Sequence, residues 1–81
     1  MRSDSEIIQL FKSAVAEVDN TVKVAELTPE TELSSIGLSS VDTMEVIGVL
    51  EDNLKIRFPD EDLSTIKSMG DLTRLINRIE G

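Results

Sequence analysis

Ser39 and Ser40 stand where the stretch "LSSIGL" gives way to the helix-like run "SVDTMEV". A hydroxyl in that place can do two things. It can cap a helix by accepting a backbone amide, or it can be an attachment point esterified by another enzyme. It cannot activate itself through a relay, because the 81 residues contain no histidine. There is no cysteine either, which excludes a thiol nucleophile, a disulfide framework and a thiolate metal site. Carboxylate and lysine chemistry survive, but the chain has no Trp or Tyr and only two Phe. Substrate pockets are usually walled by apolar and aromatic groups. An enzyme is therefore not expected, and no residue is assigned a catalytic role.

The acidic run "DEDLSTIKSMGD", Asp60 to Asp71, superficially suggests a calcium loop. The glycine required at its sixth position is Thr65, and the bidentate Glu of the twelfth is Asp71. These acids read instead as helix-start residues, so no metal site is expected.

The net charge is −8, from 16 acidic and 8 basic residues. That balance opposes nucleic acid, whose binding rests on neutralised phosphates, and anionic membrane surfaces. It favours basic protein partners reached by electrostatic steering. "MRSDSEIIQLF" is too acidic, and its apolar run too short, for a secretory signal. No stretch approaches a membrane span. The expectation is a cytoplasmic monomer without membrane insertion, residues 1–81 forming one domain.

The hydroxyls need elements to hold them. In "SDSEIIQLFKSAVAEV", Ile7, Phe11, Ala14 and Val18 share a helical face, edged by Leu10 and Val15. Ser3 and Glu6 have capping-box spacing, so a helix is predicted from about 4 to 18. Residues 19–38 lack periodicity and read as a long packed loop, with Val22, Val24, Leu27, Leu33 and Ile36 against the core. Ser39 and Asp42 form a second capping box, opening a helix from Ser40 to about Asn53. Asp60–Asp62 suit the first turn of a short helix after Pro59. Ser68 and Asp71 make a third box, ahead of a stripe of Leu72, Leu75, Ile76 and Ile79. The predicted fold is all-α, a small four-helix bundle of three main helices and one short one with a long first loop.

The second helix carries more than a core face. Val46, Ile47, Leu50 and Leu54 fall on one side. Val41, Met44 and Gly48 fall on the other, among Asp42, Glu45, Glu51 and Asp52. An apolar centre with an acidic rim, in a chain of this charge, predicts a docking surface for basic partners. Ser39 meets the capping need alone, which leaves Ser40 on the first turn beside that face. A phosphoryl group on Ser40 would sit at the positive end of a helix.

These residues resemble a known family. "IGLSSVDTMEV" resembles the attachment motif of acyl carrier proteins, commonly L-G-x-D-S-L-D-x-x-E; Gly37, Ser40, Asp42, Thr43 and Glu45 match as they stand. "LEDNLKIRFPDEDL" resembles the family's downstream block, and the likeness spans residues 4–80. The resemblance implies that Ser40 carries covalent 4′-phosphopantetheine, transferred from coenzyme A by a phosphopantetheinyl transferase with magnesium. The arm's thiol would hold acyl groups as thioesters and present them to acyl-loading and acyl-processing enzymes with basic docking patches. The reactive thiol then belongs to the cofactor, which accounts for a chain without Cys or His.

Three departures point to a specialised polyketide, lipid or secondary pathway rather than housekeeping fatty-acid synthesis. Ser39 replaces the acid before the attachment serine, Gly48 replaces a larger apolar residue, and Lys55 and Arg57 bring positive charge into an acidic stretch. A carrier for an amino-acyl or other unusual acid and an unmodified acidic-helix adaptor are the alternative readings.

Overall fold

The computed structural model describes residues 1–22 and 26–81. Among them the elements run α1 (Asp4–Val18), a one-turn 3₁₀ helix (Leu33–Ser35), α2 (Ser40–Leu54), α3 (Asp60–Leu63) and α4 (Met69–Glu80). The all-α bundle expected from the periodicity is the fold that forms. The proposed core residue Val24 lies outside the described residues.

The helix starts follow from hydroxyl caps. Ser3, Ser39 and Ser68 each accept the amide of the residue three further on, at 3.1, 3.0 and 3.2 Å. Only at α4 is the box reciprocal, with the Asp71 carboxylate accepting the Ser68 amide at 3.2 Å. The expected boxes at α1 and α2 are half-boxes. At α1 the reason is competition, because the Glu6 carboxylate pairs with Arg2. At α2 the Asp42 side chain makes no return bond to Ser39.

The core is built where α1, α2 and α4 meet. α1 contributes Ile7, Ile8, Phe11, Ala14 and Val15, α2 contributes Val46, Ile47 and Leu50, and α4 contributes Met69, Leu72, Leu75 and Ile76. Val15 proves fully buried rather than marginal, while Val18 and Leu54 are only partly covered. Phe58 fills the remaining corner from the linker after α2, at 5% exposure. Truncating a buried Leu or Ile of this set to Ala would cost about 2–5 kcal/mol.

The first loop is stapled to the start of α4. Leu33 donates its amide to the Lys67 carbonyl at 2.9 Å, and Met69 donates to Thr31 at 3.0 Å. These bonds form an isolated antiparallel bridge between Glu32 and Ser68. Gly70 donates to the Pro29 carbonyl at 2.8 Å. A Cβ on Gly70 would stand 3.1 Å from that carbonyl oxygen, so glycine is what lets the loop approach. Two first-turn amides of α4, which its own turns cannot satisfy, thereby find partners. Val22, Leu27, Leu33 and Ile36 lie half-buried on the core as expected, joined by Leu38. Gly37 then takes φ +94°, turning the chain into α2.

α2 ends one residue later than predicted, at Leu54. Lys55 adopts the left-handed conformation (φ 55°, ψ 47°), and both its amide and that of Ile56 reach the Glu51 carbonyl. That backbone costs a residue with a Cβ about 1 kcal/mol or more, eased by a cation's favourable place at a helix C-terminus. Glu51 also turns its carboxylate to the Phe58 amide at 2.8 Å, fixing the linker into α3.

Candidate functional site: Ser40 at the head of α2

The serines at the loop–helix junction separate by their partners. Ser35 donates its hydroxyl to the Glu32 carbonyl at 2.7 Å, and the Ser39 hydroxyl accepts the Asp42 amide at 3.0 Å. Thr43 donates back to the Ser39 carbonyl at 2.9 Å, which closes the turn around Ser39. Ser40 is the first residue of α2 and is exposed, and its hydroxyl has no partner among the described residues. Ser34 is likewise exposed and unengaged but sits in the 3₁₀ turn.

An open cleft of about 420 Å³ lies beside Ser40. Ser40, Thr43 and Ser34 give it polar points, while Leu33, Leu38, Met44, Ile47, Leu63 and Ile66 make its walls mostly apolar. The loop, α2 and the α3 segment all contribute, so the cleft exists only in the folded chain. Sequence reasoning missed it. No single segment shows an apolar excess, and Leu63 and Ile66 look like ordinary packing residues.

Outward from the cleft runs the predicted docking face. Val41 is 67% exposed and Met44 56%, two large apolar side chains one helical turn apart, and contiguous exposed apolar surface of this kind marks interaction sites. Glu45 and Asp52 are exposed, and Asp42 and Gly48 are half-exposed. The exposure of these residues follows the helical spacing, with one difference. Glu51 is half-buried and occupied with the Phe58 amide, a task without a sequence signature.

The ion pairs lie elsewhere. Arg2 pairs with Glu6 and Glu80, Arg74 with Asp71, and Arg78 with Asp62. None of these four engages Asp42, Glu45 or Asp52, so among the described residues the acids of the α2 face form no ion pair. The amides of Lys67 and Ser68, then the Arg74 guanidinium, hold the Asp71 carboxyl below the usual carboxylate range. Thr21 does the same for Asp19. Both shifts belong to caps and turns, not to the site.

No group of three or more metal-ligating side chains occurs among the described residues. Among them no helix is long and apolar enough to cross a membrane. For a phosphopantetheine ester the fit is good. An exposed, unengaged hydroxyl opens α2, where the first-turn amides and helix dipole favour an anion, and an apolar hollow adjoins it.

Comparison with known proteins points to the same chemical group. Residues 9–76 match the family described as phosphopantetheine attachment site. The acyl carrier protein of Helicobacter pylori is 36% identical over 67 residues, covering 82% of this chain and 85% of that protein. On the strength of both matches, the chain belongs to the phosphopantetheine-attachment family, whose members carry that arm covalently and meet phosphopantetheinyl transferases and acyl-processing enzymes.

Proposed function

We propose that residues 1–81 act as one acyl-carrier domain and that Ser40 holds the phosphopantetheine arm. The observation that carries the residue assignment is the contrast between neighbours. Ser39 is occupied as the cap of α2, whereas Ser40 is exposed, unengaged and at the lip of the apolar cleft. When bound, the arm supplies the thiol that holds acyl groups as thioesters. The chain itself does three things. It offers the Ser40 oxygen at the positive end of α2. It positions the attached group with Ser39 and Thr43, which lock the first turn. It presents the acidic face of α2 to the enzymes that load and use the arm.

Ser40 makes no hydrogen bond to a carboxylate among the described residues, so the base that takes its proton belongs to the transferase. That enzyme joins the Ser40 oxygen to the phosphorus of the pantetheine phosphate of coenzyme A, and adenosine bisphosphate leaves.

The walls of the cleft favour an apolar acyl cargo over a charged amino-acyl one. Gly48, Lys55 and Arg57 depart from the acidic, apolar-filled surface of housekeeping fatty-acid carriers and support a specialised polyketide, lipid or secondary pathway. Incubation with coenzyme A and a broad-specificity transferase, followed by intact mass, tests the carrier reading. A chain that gains no mass would be an adaptor using its acidic helix alone.

A further inference from the structure

Two residues, Gly48 within α2 and Lys55 just past its end, are set against local backbone preference. Gly48 occupies the middle of a 15-residue helix, where glycine is the poorest choice after proline. Nothing in the fold requires it. Its φ is not positive, and a Cβ built there would meet nothing within 4 Å. Lys55 holds a left-handed conformation (φ 55°), the setting in which glycine is ordinary at a helix end. So a glycine stands where a side chain would fit, and a lysine where a glycine would be easier. The helical repeat of 3.6 residues places Gly48 on one stripe with Ser40 and Met44, and Lys55 follows directly after the last turn.

Their surroundings are exposed and charged. Gly48 leaves a gap between exposed Met44 and exposed Asp52. Lys55 and exposed Arg57 enclose, with Glu51 and Asp52, an open polar hollow of about 450 Å³. Neither cation joins any of the four ion pairs among the described residues. The face thus reads acidic at Asp42 and Glu45, then open at Gly48, then mixed, where the cations Lys55 and Arg57 stand beside Asp52. An enzyme reaching Ser40 from solvent covers this whole run. Gly48 is about 12 Å along the axis from Ser40, and a standard interface of about 800 Å² per partner extends farther than that.

Resting on the assignment of Ser40 above, we infer that Gly48 and Lys55 determine which enzyme fits α2. The matching surface is basic opposite Asp42, Glu45 and Asp52. It projects one large side chain into the gap at Gly48 and carries an acidic group opposite Lys55 and Arg57. The first enzyme to which this applies is the phosphopantetheinyl transferase of the same genome, because it must dock over Ser40. Both residues are specificity-determining, Gly48 at a cost to helix propensity and Lys55 at a cost in backbone strain.

The test measures KM for the carrier and kcat, with that transferase and coenzyme A, alongside thermal melts. Gly48→Ala and Lys55→Gly should each raise the melting temperature by about 4 °C or more and raise KM by about threefold or more, the loss lying in KM rather than kcat. Gly48→Met should raise KM further. Lys55→Glu is the sharpest arm. A uniformly basic partner would bind the more acidic variant better, whereas the surface inferred here binds it worse. Ser13→Ala, on the exposed side of α1, controls for stability and should raise the melting temperature without moving KM. Unchanged or lower KM in Gly48→Met and Lys55→Glu, with normal modification of Ser40, would overturn this inference alone. So would a rise in KM for Ser13→Ala that matched the others. An unmutated chain that accepts no arm would remove the attachment reading and this inference with it.

Discussion

The Ser39 hydroxyl accepts the Asp42 amide at 3.0 Å, and that bond divides two adjacent serines into a cap and an open site. Loss of the cap should be felt in the fold and not in the chemistry. Ser39→Ala is expected to lower stability by about 1 kcal/mol in urea or thermal melts. Modification of Ser40 should still go to completion.

Gly70 lets the Pro29 carbonyl come close, because its missing side chain leaves that oxygen unhindered. Gly70→Ala would push a Cβ to 3.1 Å from that oxygen in a buried position. The expected loss is about 1–3 kcal/mol, as for other overpacked sites, read from denaturant melts. Since Leu33 and Leu38 line the cleft from the same loop, acyl thioesters on this variant should also hydrolyse faster.

Asp71 links stability to pH. Its folded pKa is depressed, first by the Lys67 and Ser68 amides and then by Arg74. Its contribution is therefore complete above the ordinary carboxylate pKa of about 3.9 and is lost as pH falls through the lower folded value. The melting-temperature gap between the unmutated chain and Asp71→Asn should be widest at neutral pH, begin to narrow below about pH 4 and close only below the depressed folded value. A gap that persisted in acid would mean the charge is not what Asp71 contributes.

Much of this was legible because regular elements write themselves as periodic patterns. The stripe of Ile7, Phe11 and Ala14 placed α1 at its observed ends, and the Ser-x-x-Asp spacing placed Ser39 as cap and Ser40 as first helical residue. The exposed pair Val41 and Met44 followed from the same spacing. What was not legible is what joins segments distant in sequence. The Glu32–Ser68 bridge is a single pairing without a repeat. Phe58 lies in a linker, where burial has no period to reveal it. Glu51 looked like one more acid of the docking face, because nothing local shows that its carboxylate closes on an amide seven residues ahead. The half-boxes at α1 and α2 teach the same point. Spacing permits the return bond, but Glu6 has a better partner in Arg2.

The acids of α2 that form no ion pair should govern association. Glu45→Lys combined with Asp52→Lys is the informative pair, because reversing Glu51 would also break its bond to Phe58. The double variant should slow arm transfer by about tenfold or more at low salt and flatten its salt dependence. Helicity by circular dichroism should not change. The same self-repulsion predicts that the melting temperature of the unmutated chain rises between low and moderate salt.

The most direct measurement is the location of the arm. The chain is incubated with coenzyme A, magnesium and a broad-specificity phosphopantetheinyl transferase, then weighed intact and mapped by peptides. One phosphopantetheine should be gained, on the peptide containing Ser40. It should be absent in Ser40→Ala and retained in Ser34→Ala and Ser39→Ala. An arm found on any other serine, or persisting in Ser40→Ala, would contradict the account.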